Sequence, residues 1–446
     1  MSAPPPPSGW RRHLHLDFHV LQVLLQRGWG VFAGAMTVLI VPLVLSGIEQ
    51  GYYYTFSSLL ALQVFFELGF NVVILQLVGH EAARLEIADD GSVSGDPASA
   101  ARLHSLLRML RRWYLGAALL FAAAVSIAGF VFFQRQGGMA TREWAGVWLA
   151  LVGLTSVNLY LSPQLAVLEG IGRVGHVARL RLMQSVVGSL AMWAGFALGA
   201  GLRAVPLLTA AAALGSLLWL RHYGGLLKPR IAVPGNGMRW RTDIFPLQWR
   251  IALSWISGWF IFYAFTPLLF ARQGAVEAGR LGLALSLFSS VSMLGMSWVN
   301  AAAPRMVQHI ARGERAALNQ LFVRVLKSAT AFTALVSLAL LAAVALMIHW
   351  DLPLAQRIAP MPVLACLALV TLINGFVFAA ATYMRAHKAE PLLTASVVGG
   401  VLTLLAAWYG SQAGAATMMG LYAASSFFVG LPWTILHFRR YFVRTA

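Results

Sequence analysis

The sequence contains few acidic residues and a single cysteine. The chain has 15 Asp and Glu but 33 Lys and Arg, so its net charge is +18 although only 11% of the residues are charged. The lone Cys366 excludes an internal disulfide, and a cysteine of this kind is usually a small apolar filler. Because 59% of the residues are hydrophobic and the mean hydropathy is +0.72, the composition excludes a soluble globular protein.

Long apolar runs make up most of the chain. About twelve of them have the length of a bilayer core, which is roughly twenty residues. The first six are predicted at 29–47, 53–78, 113–133, 144–168, 182–201 and 204–220. The second six are predicted at 251–270, 281–303, 329–350, 361–384, 391–409 and 415–438. The sequence therefore predicts an all-α polytopic membrane protein with about 12 transmembrane helices.

The segments between successive apolar runs are alternately rich and poor in Lys and Arg. Of the 33 Lys and Arg, 27 lie in the even-numbered gaps and the two tails. The other six are Arg135, Arg142, Arg203, Arg272, Arg280 and Arg357. Because basic residues in short loops stay on the cytoplasmic side, both termini are predicted to be cytoplasmic. The bases follow topology rather than one patch, so no nucleic-acid partner is expected.

Weak internal similarity predicts two repeated lobes. Leu25-Gln26-Arg27 before the first run parallels Leu247-Gln248-Trp249-Arg250 before the seventh. An even number of spans per repeat gives parallel halves, with a binding site expected between them near the midplane. The predicted domains are a cytoplasmic tail with an interfacial helix at 1–27, a six-helix lobe at 28–222, a cytoplasmic linker at 223–245, a second six-helix lobe at 246–438 and a cytoplasmic tail at 439–446.

Motifs for enzyme chemistry or metal binding are incomplete. The G-x-G-x-x-G pattern at 170–175 follows an apolar helix rather than a strand, so a flexible cytoplasmic turn is expected there. His80-Glu81 begins like a zinc-protease motif, but Arg84 occupies the place of the second histidine. We therefore predict a protein that is not an enzyme and that has no metal site and no cofactor.

Glu67 is the one acidic residue predicted near the centre of an apolar run. A charged side chain at that depth costs about 2.5 to 3.5 kcal/mol or more. One interpretation is a proton or cation site, or a counter-charge in a translocation cavity. The other is a protonated carboxyl group that is hydrogen-bonded to a neighbouring helix. On a continuous helix, Gln63 and Asn71 would share its face.

Gln26, Arg27, Gln248 and Arg250 lie at the cytoplasmic mouths of the first helices of the two lobes. Anchoring to the membrane surface explains such arginines without any ligand. The alternative is capture of an anionic headgroup, since two guanidinium groups at equivalent points can bind a pyrophosphate bidentately.

Amides and one phenol also interrupt the apolar runs, at Asn158, Tyr160, Asn300 and Asn374. These groups can hydrogen-bond sugar hydroxyls. Hydrogen bonding between helices is their commoner role in membrane proteins.

Several segments resemble the polysaccharide or oligosaccharide-lipid flippases of the multidrug/oligosaccharidyl-lipid/polysaccharide exporter superfamily. The first is the hairpin between the first two spans, Leu45-Ser46-Gly47-Ile48-Glu49-Gln50-Gly51-Tyr52-Tyr53-Tyr54-Thr55-Phe56, which continues through Leu59 to the helical turn Glu67-Leu68-Gly69. The others are Pro304-Arg305, Ala311-Arg312-Gly313-Glu314, and Arg385-Ala386-His387-Lys388-Ala389-Glu390-Pro391. The resemblance runs from about residue 20 to 435. It implies a V-shaped pair of six-helix lobes that moves a polyprenyl-pyrophosphate-linked oligosaccharide to the outer leaflet by alternating access.

The predicted function is therefore a flippase for a lipid-linked glycan in surface or exopolysaccharide biosynthesis. Its implied partners are the lipid-linked glycan, membrane lipids, a coupling H⁺ or Na⁺, and a polysaccharide polymerase with its glycosyltransferases. The alternative is a cation-coupled multidrug or metabolite exporter of the same fold, with Glu67 as the coupling acid. A membrane-embedded polymerase or acyltransferase would need a clustered catalytic set, which the sequence lacks. Twelve spans rather than fourteen disfavour the peptidoglycan-precursor branch.

Overall fold

The computed structural model describes residues 18–87, 93–223, 240, 244–387 and 392–444. The start of the predicted interfacial helix and almost all of the predicted linker at 223–245 lie outside these ranges.

The described part of the chain is almost entirely helical. Its first half contains α1 (Phe18–Val44), α2 (Gly47–Leu60), the short α3 (Val64–Glu67), α4 (Phe70–Ala82), α5 (Pro97–Gln136), α6 (Thr141–Gly170), α7 (Val174–Ala197) and α8 (Pro206–Tyr223). Its second half contains α9 (Phe245–Phe262), α10 (Phe265–Gln273), α11 (Ala275–Ala311), α12 (Arg315–His349), α13 (Met361–Ala386), α14 (Leu393–Ala413), α15 (Ala415–Ser425) and α16 (Leu431–Arg444).

Ten helical stretches in the described residues are long and apolar enough to cross a membrane. Two further predicted spans are also helical: the second is divided among α2, α3 and α4, and the fifth is α7. The predicted all-α, multi-pass membrane architecture with about twelve crossing segments is therefore confirmed. The prediction of one continuous helix at 53–78 was wrong, because that span is broken in its middle.

The longest helix, α5, joins a surface segment to the third predicted span. Asp96 caps its start, accepting hydrogen bonds from the backbone N–H groups of Ala98 at 3.3 Å and Ser99 at 3.0 Å. Hydrogen bonds from Ser99 lower the pKa of the Asp96 carboxyl. A two-stranded antiparallel hairpin, Leu85–Ile87 with Val93–Gly95, precedes the helix.

The chain divides into two compact units. Unit 1 comprises Met1–Thr37, Gly69–Ala124 and Leu149–Gln248. In this unit α7 packs closely against α8, since a Cβ atom on Gly188 would lie 3.0 Å from the carbonyl oxygen of Leu208. Small residues of this kind let membrane helices approach each other.

Unit 2 comprises Val38–Leu68, Val125–Trp148 and Trp249–Ala446. One of its cores is aromatic and fully buried, formed by Tyr52, Phe56, Phe133, Trp144, Trp148 and Phe270. A second core joins α12, α13 and α16, where the ring of Phe322 lies 5.0 Å from those of both Tyr383 and Phe438. The lobes at 28–222 and 246–438 remain a prediction.

Candidate functional site

The second predicted span is interrupted where its sequence is most polar. A 3-10 turn at Ala61–Gln63 leads into α3, which ends at Glu67. Leu68 and Gly69 then both adopt the left-handed conformation, with φ of 51° and 66°. That conformation suits Gly69, but for a residue with a Cβ atom it costs about 1 to 2 kcal/mol. In transporters, helices broken at membrane depth mark substrate and ion sites.

Glu67 is the last residue of α3, and its side chain is partly buried. Its carboxylate has no hydrogen-bond or ion-pair partner among the described residues. Two residues earlier, the ring of Phe65 meets those of Trp259 and Phe260 at 5.6 and 5.9 Å. Within the described part of the chain, nothing supports the interpretation that a hydrogen bond to another helix satisfies Glu67.

The break also changes the geometry expected around Glu67. The prediction that Gln63, Glu67 and Asn71 share one face assumed an unbroken helix. Leu68 and Gly69 interrupt the helix with positive φ angles. A separation of four residues therefore does not place Glu67 and Asn71 on the same helix face.

Asn71 lies at the start of α4, in unit 1. Its Nδ2 donates a hydrogen bond to the Ser162 hydroxyl at 3.3 Å. Its Oδ1 accepts one, also at 3.3 Å, from the hydroxyl of the fully buried Tyr114. Asn71 therefore joins three helices of unit 1, namely α4, α5 and α6.

Asn71 also borders a polar cavity in unit 1. The cavity has a volume of about 320 Å³, near the lower end of the usual range for ligand sites, about 300 to 1,000 Å³. Its polar lining residues are Asn71, Asn158, Ser162, Glu169, Arg181, Gln184 and Ser216. They come from α4, α6, α7 and α8.

Two carboxamides in this cavity have defined orientations. Nε2 of Gln184 donates to the Ala212 carbonyl and to the Ser216 hydroxyl, both at 2.8 Å. Nδ2 of Asn158 donates to the Thr209 carbonyl at 3.3 Å. Gly215 allows the close approach of α7 and α8, because a Cβ atom there would lie 2.8 Å from Cγ of Gln184.

A partly buried ion pair forms another part of the cavity wall. Nη1 of Arg181 lies 2.8 Å from Oε1 of Glu169, and the two side chains are 46% and 18% exposed. The two residues flank the glycine turn at 170–175, where α6 ends at Gly170 and α7 begins at Val174. The prediction of a turn at this pattern is confirmed.

The predicted mouth residues have different surroundings. Gln248 is only 3% exposed, and neither its Nε2 nor its Oε1 has a hydrogen-bond partner among the described residues. On α1, Gln26 is half-buried and Arg27 is exposed. Arg250 belongs to α9, but its side chain lies outside the part of the chain that the structure describes.

Sequence reasoning did not single out Gln184, Glu169 or Arg181 as site residues. A signal for them was present, since Gln184 lies inside an apolar run and opposite charges flank the turn at 170–175. The sequence does not show that the faces carrying them meet Asn71 and Asn158.

No protein-family model and no curated protein matches the chain. Solved structures match it over nearly its whole length. The structure described as "Lipid II flippase MurJ, inward closed conformation" has a TM-score of 0.67 at 12% identity, covering 96% of this chain and 89% of that one. The MATE multidrug transporter DinF-BH has a TM-score of 0.57 at 14% identity, covering 94% of each chain.

A third match is a MOP superfamily transporter from Pyrococcus furiosus. Its TM-score is 0.56 at 12% identity, and the match covers 98% of this chain and 99% of that one. Likeness at such low identity shows the fold. The chain therefore has the fold of the multidrug/oligosaccharidyl-lipid/polysaccharide exporter superfamily, the fold that its motifs implied.

Proposed function

We propose that the protein is a flippase that moves a polyprenyl-pyrophosphate-linked oligosaccharide across the bacterial inner membrane by alternating access. The observation that carries this proposal is the broken second span in a chain with an exporter fold. Leu68 and Gly69 place a backbone discontinuity beside the acidic Glu67. A discontinuity at membrane depth is tolerated where it lines a cavity or is covered by protein.

The substrate class is supported by the motif resemblance and by the comparisons. The segments from Leu45 to Tyr52 and from Arg385 to Pro391 resemble those of glycan-lipid flippases. Among the three structures compared, the lipid II flippase has a higher TM-score than either of the other transporters. The twelve predicted spans of this chain favour a glycan other than a peptidoglycan precursor.

In this proposal the lobes at 28–222 and 246–438 alternate access to the two leaflets. Gln26, Arg27, Gln248 and Arg250 receive the pyrophosphate at the cytoplasmic mouth. The buried carboxamide of Gln248, which has no hydrogen-bond partner among the described residues, supports such a role. A buried amide without partners costs about 1 to 3 kcal/mol, and a ligand that pairs with it recovers that cost. A polysaccharide polymerase and glycosyltransferases would act on the same glycan before or after transport.

Reconstitution into liposomes tests the proposal. A lipid-linked oligosaccharide is placed in the membrane, and its arrival in the outer leaflet is followed with a lectin or glycosidase that cannot enter. The protein should accelerate its appearance relative to empty liposomes. Equal rates with and without protein, together with normal surface polysaccharide in a deletion strain, would refute the proposal.

The second candidate is a cation-coupled exporter of drugs or metabolites. The observation in its favour is the carboxylate of Glu67, which has no partner among the described residues. A carboxylate at this depth can exchange a proton or bind a monovalent cation. Vesicles with an imposed H⁺ or Na⁺ gradient should then take up cationic dyes, and a Glu67→Gln variant should not.

A further inference from the structure

The cavity of unit 1 offers hydrogen-bond acceptors in fixed positions. Both N–H groups of the Gln184 carboxamide are committed, to the Ala212 carbonyl and the Ser216 hydroxyl. Its Oε1 can therefore only accept a hydrogen bond from whatever enters. Asn158 donates one hydrogen bond to the Thr209 carbonyl, which orients the carboxamide, and its Oδ1 is also an acceptor. A ligand that pairs with both amide oxygens must donate a hydrogen bond to each.

The charges of the cavity do not suit an anion. Among the described residues that line the cavity, Arg181 is the only basic one, and Glu169 already pairs with it at 2.8 Å. A phosphate or carboxylate would have to compete with Glu169 for the guanidinium. The lining is electrically balanced, which matches a neutral ligand.

Asn158 and Glu169 are too far apart along α6 to bind one metal cation together. Asn158 and Glu169 are eleven residues apart on α6, a distance of about 16 Å at a rise of 1.5 Å per residue. A hard cation needs its oxygen ligands within about 2.6 Å of one point. Acceptors spread along the cavity match an extended molecule with several hydroxyl groups.

We propose that this cavity is a saccharide subsite, in which Asn158 and Gln184 accept hydrogen bonds from the hydroxyls of a neutral sugar. Glu169 and Arg181 then bind the hydroxyls that follow along the chain. The inference rests on the proposed function, since the sugar would be part of the lipid-linked glycan. It assigns glycan recognition to α6, α7 and α8, separately from the pyrophosphate contacts proposed for Gln248 and Arg250.

Binding is measured on the full chain in a sugar-free detergent, by saturation-transfer NMR with the neutral disaccharide cellobiose as the probe. Saturable binding is expected, and inorganic pyrophosphate should not compete for the site. Gln184→Leu and Asn158→Leu each remove one acceptor. Each should weaken binding about three- to ten-fold, the range that corresponds to one neutral hydrogen bond.

Two further variants separate recognition from folding. Ala166→Leu adds bulk to the cavity wall without removing any polar group, because Ala166 is a buried lining residue. It should reduce binding while thermal unfolding stays close to that of the wild type. Asn374→Leu is the matched control, since it removes an intramembrane amide in unit 2 that bonds the Tyr422 hydroxyl at 3.4 Å. It should bind as the wild type does.

The outcomes distinguish this inference from the proposed function. A wild-type protein that flips the lipid-linked glycan but shows no saturable sugar binding would overturn the subsite and leave the flippase intact. Binding lost equally in Asn374→Leu and Gln184→Leu would also overturn it, because the effect would then be global. Sugar binding that depends on Gln184, in a protein without flipping activity, would support the subsite and contradict the flippase.

Discussion

Gln50 makes a buried connection within unit 2 whose removal has a predictable cost. The residue is 1% exposed, and its Nε2 donates to the Gly279 carbonyl at 2.9 Å and to the Arg357 carbonyl at 3.1 Å. These bonds link α2 to α11 and to the turn before α13. The helices lie unusually close here, since a Cβ atom on Gly51 would meet the Ala275 carbonyl oxygen. A Gln50→Met variant keeps the length of the side chain and removes both donors.

The expected loss of stability follows from the two hydrogen bonds that the variant removes. Each bond from Gln50 contributes about 0.5 to 1.5 kcal/mol, so the gross loss is about 1 to 3 kcal/mol. Oε1 of Gln50 has no partner among the described residues, and its removal offsets part of that loss. We therefore expect a net destabilisation of the α2 contact of about 1 kcal/mol, or roughly a five-fold change in the opening equilibrium.

Hydrogen–deuterium exchange of the α2 amides, Gly47–Leu60, measures this opening directly. Gln273→Met is the matched control, since Nε2 of Gln273 also donates to two carbonyls, those of Ser411 and Gln412 at 3.1 Å, but its side chain is exposed. Water replaces those bonds, so the control should change stability by less than about 0.5 kcal/mol. Unchanged α2 exchange in Gln50→Met, or equal acceleration in Gln273→Met, would refute the reasoning.

Further variants test the packing and the proposed site. Gly51→Leu should lower stability by about 1 to 3 kcal/mol in thermal unfolding through overpacking, whereas Gly34→Leu, with open space around its Cβ position, should have little effect. Glu67→Gln should lower the flipping rate while membrane insertion stays normal. A wild-type flipping rate would show that Glu67 contributes only to packing. Arg250→Ala should slow flipping more than Arg221→Ala, which removes an exposed side chain. Equal rates in the two variants would show that Arg250 only anchors its helix at the membrane surface.

The sequence predicts the membrane-crossing helices well because their signal is local. The run predicted at 361–384 corresponds to α13, Met361–Ala386, and the run at 144–168 lies within α6. Length and hydropathy decide such segments in lipid, since a spanning helix must satisfy its own backbone hydrogen bonds. The break at Leu68 was not predicted, because leucine rarely adopts the positive φ that it has here. The neighbouring glycine is no signal either, since glycine is common in membrane helices.

The cavity could be predicted only in part, for a different physical reason. Asn158 was recognised as polar within an apolar run, with a sugar contact and a helix contact as alternatives. Its Nδ2 bonds the Thr209 carbonyl, which is the helix contact, and its Oδ1 is what the subsite proposal uses. Gln184 and Arg181 join the same wall because α7 and α8 pack closely at Gly215, and a single sequence does not encode which helix faces meet.

Glu67 differs from other glutamates of the chain in its charge surroundings. Three of those glutamates have close basic partners: Glu81 with Arg102 at 3.1 Å, Glu169 with Arg181 at 2.8 Å and Glu277 with Arg280 at 2.7 Å. Glu67 has no such partner in the described part of the chain, although a carboxylate near the membrane centre costs about 2.5 to 3.5 kcal/mol or more. A strained backbone turn beside an unpaired acidic side chain is typical of a functional site, where a bound ligand offsets the cost in free energy. We therefore propose that Glu67 interacts with a species that arrives during transport, rather than serving only the static packing of unit 2.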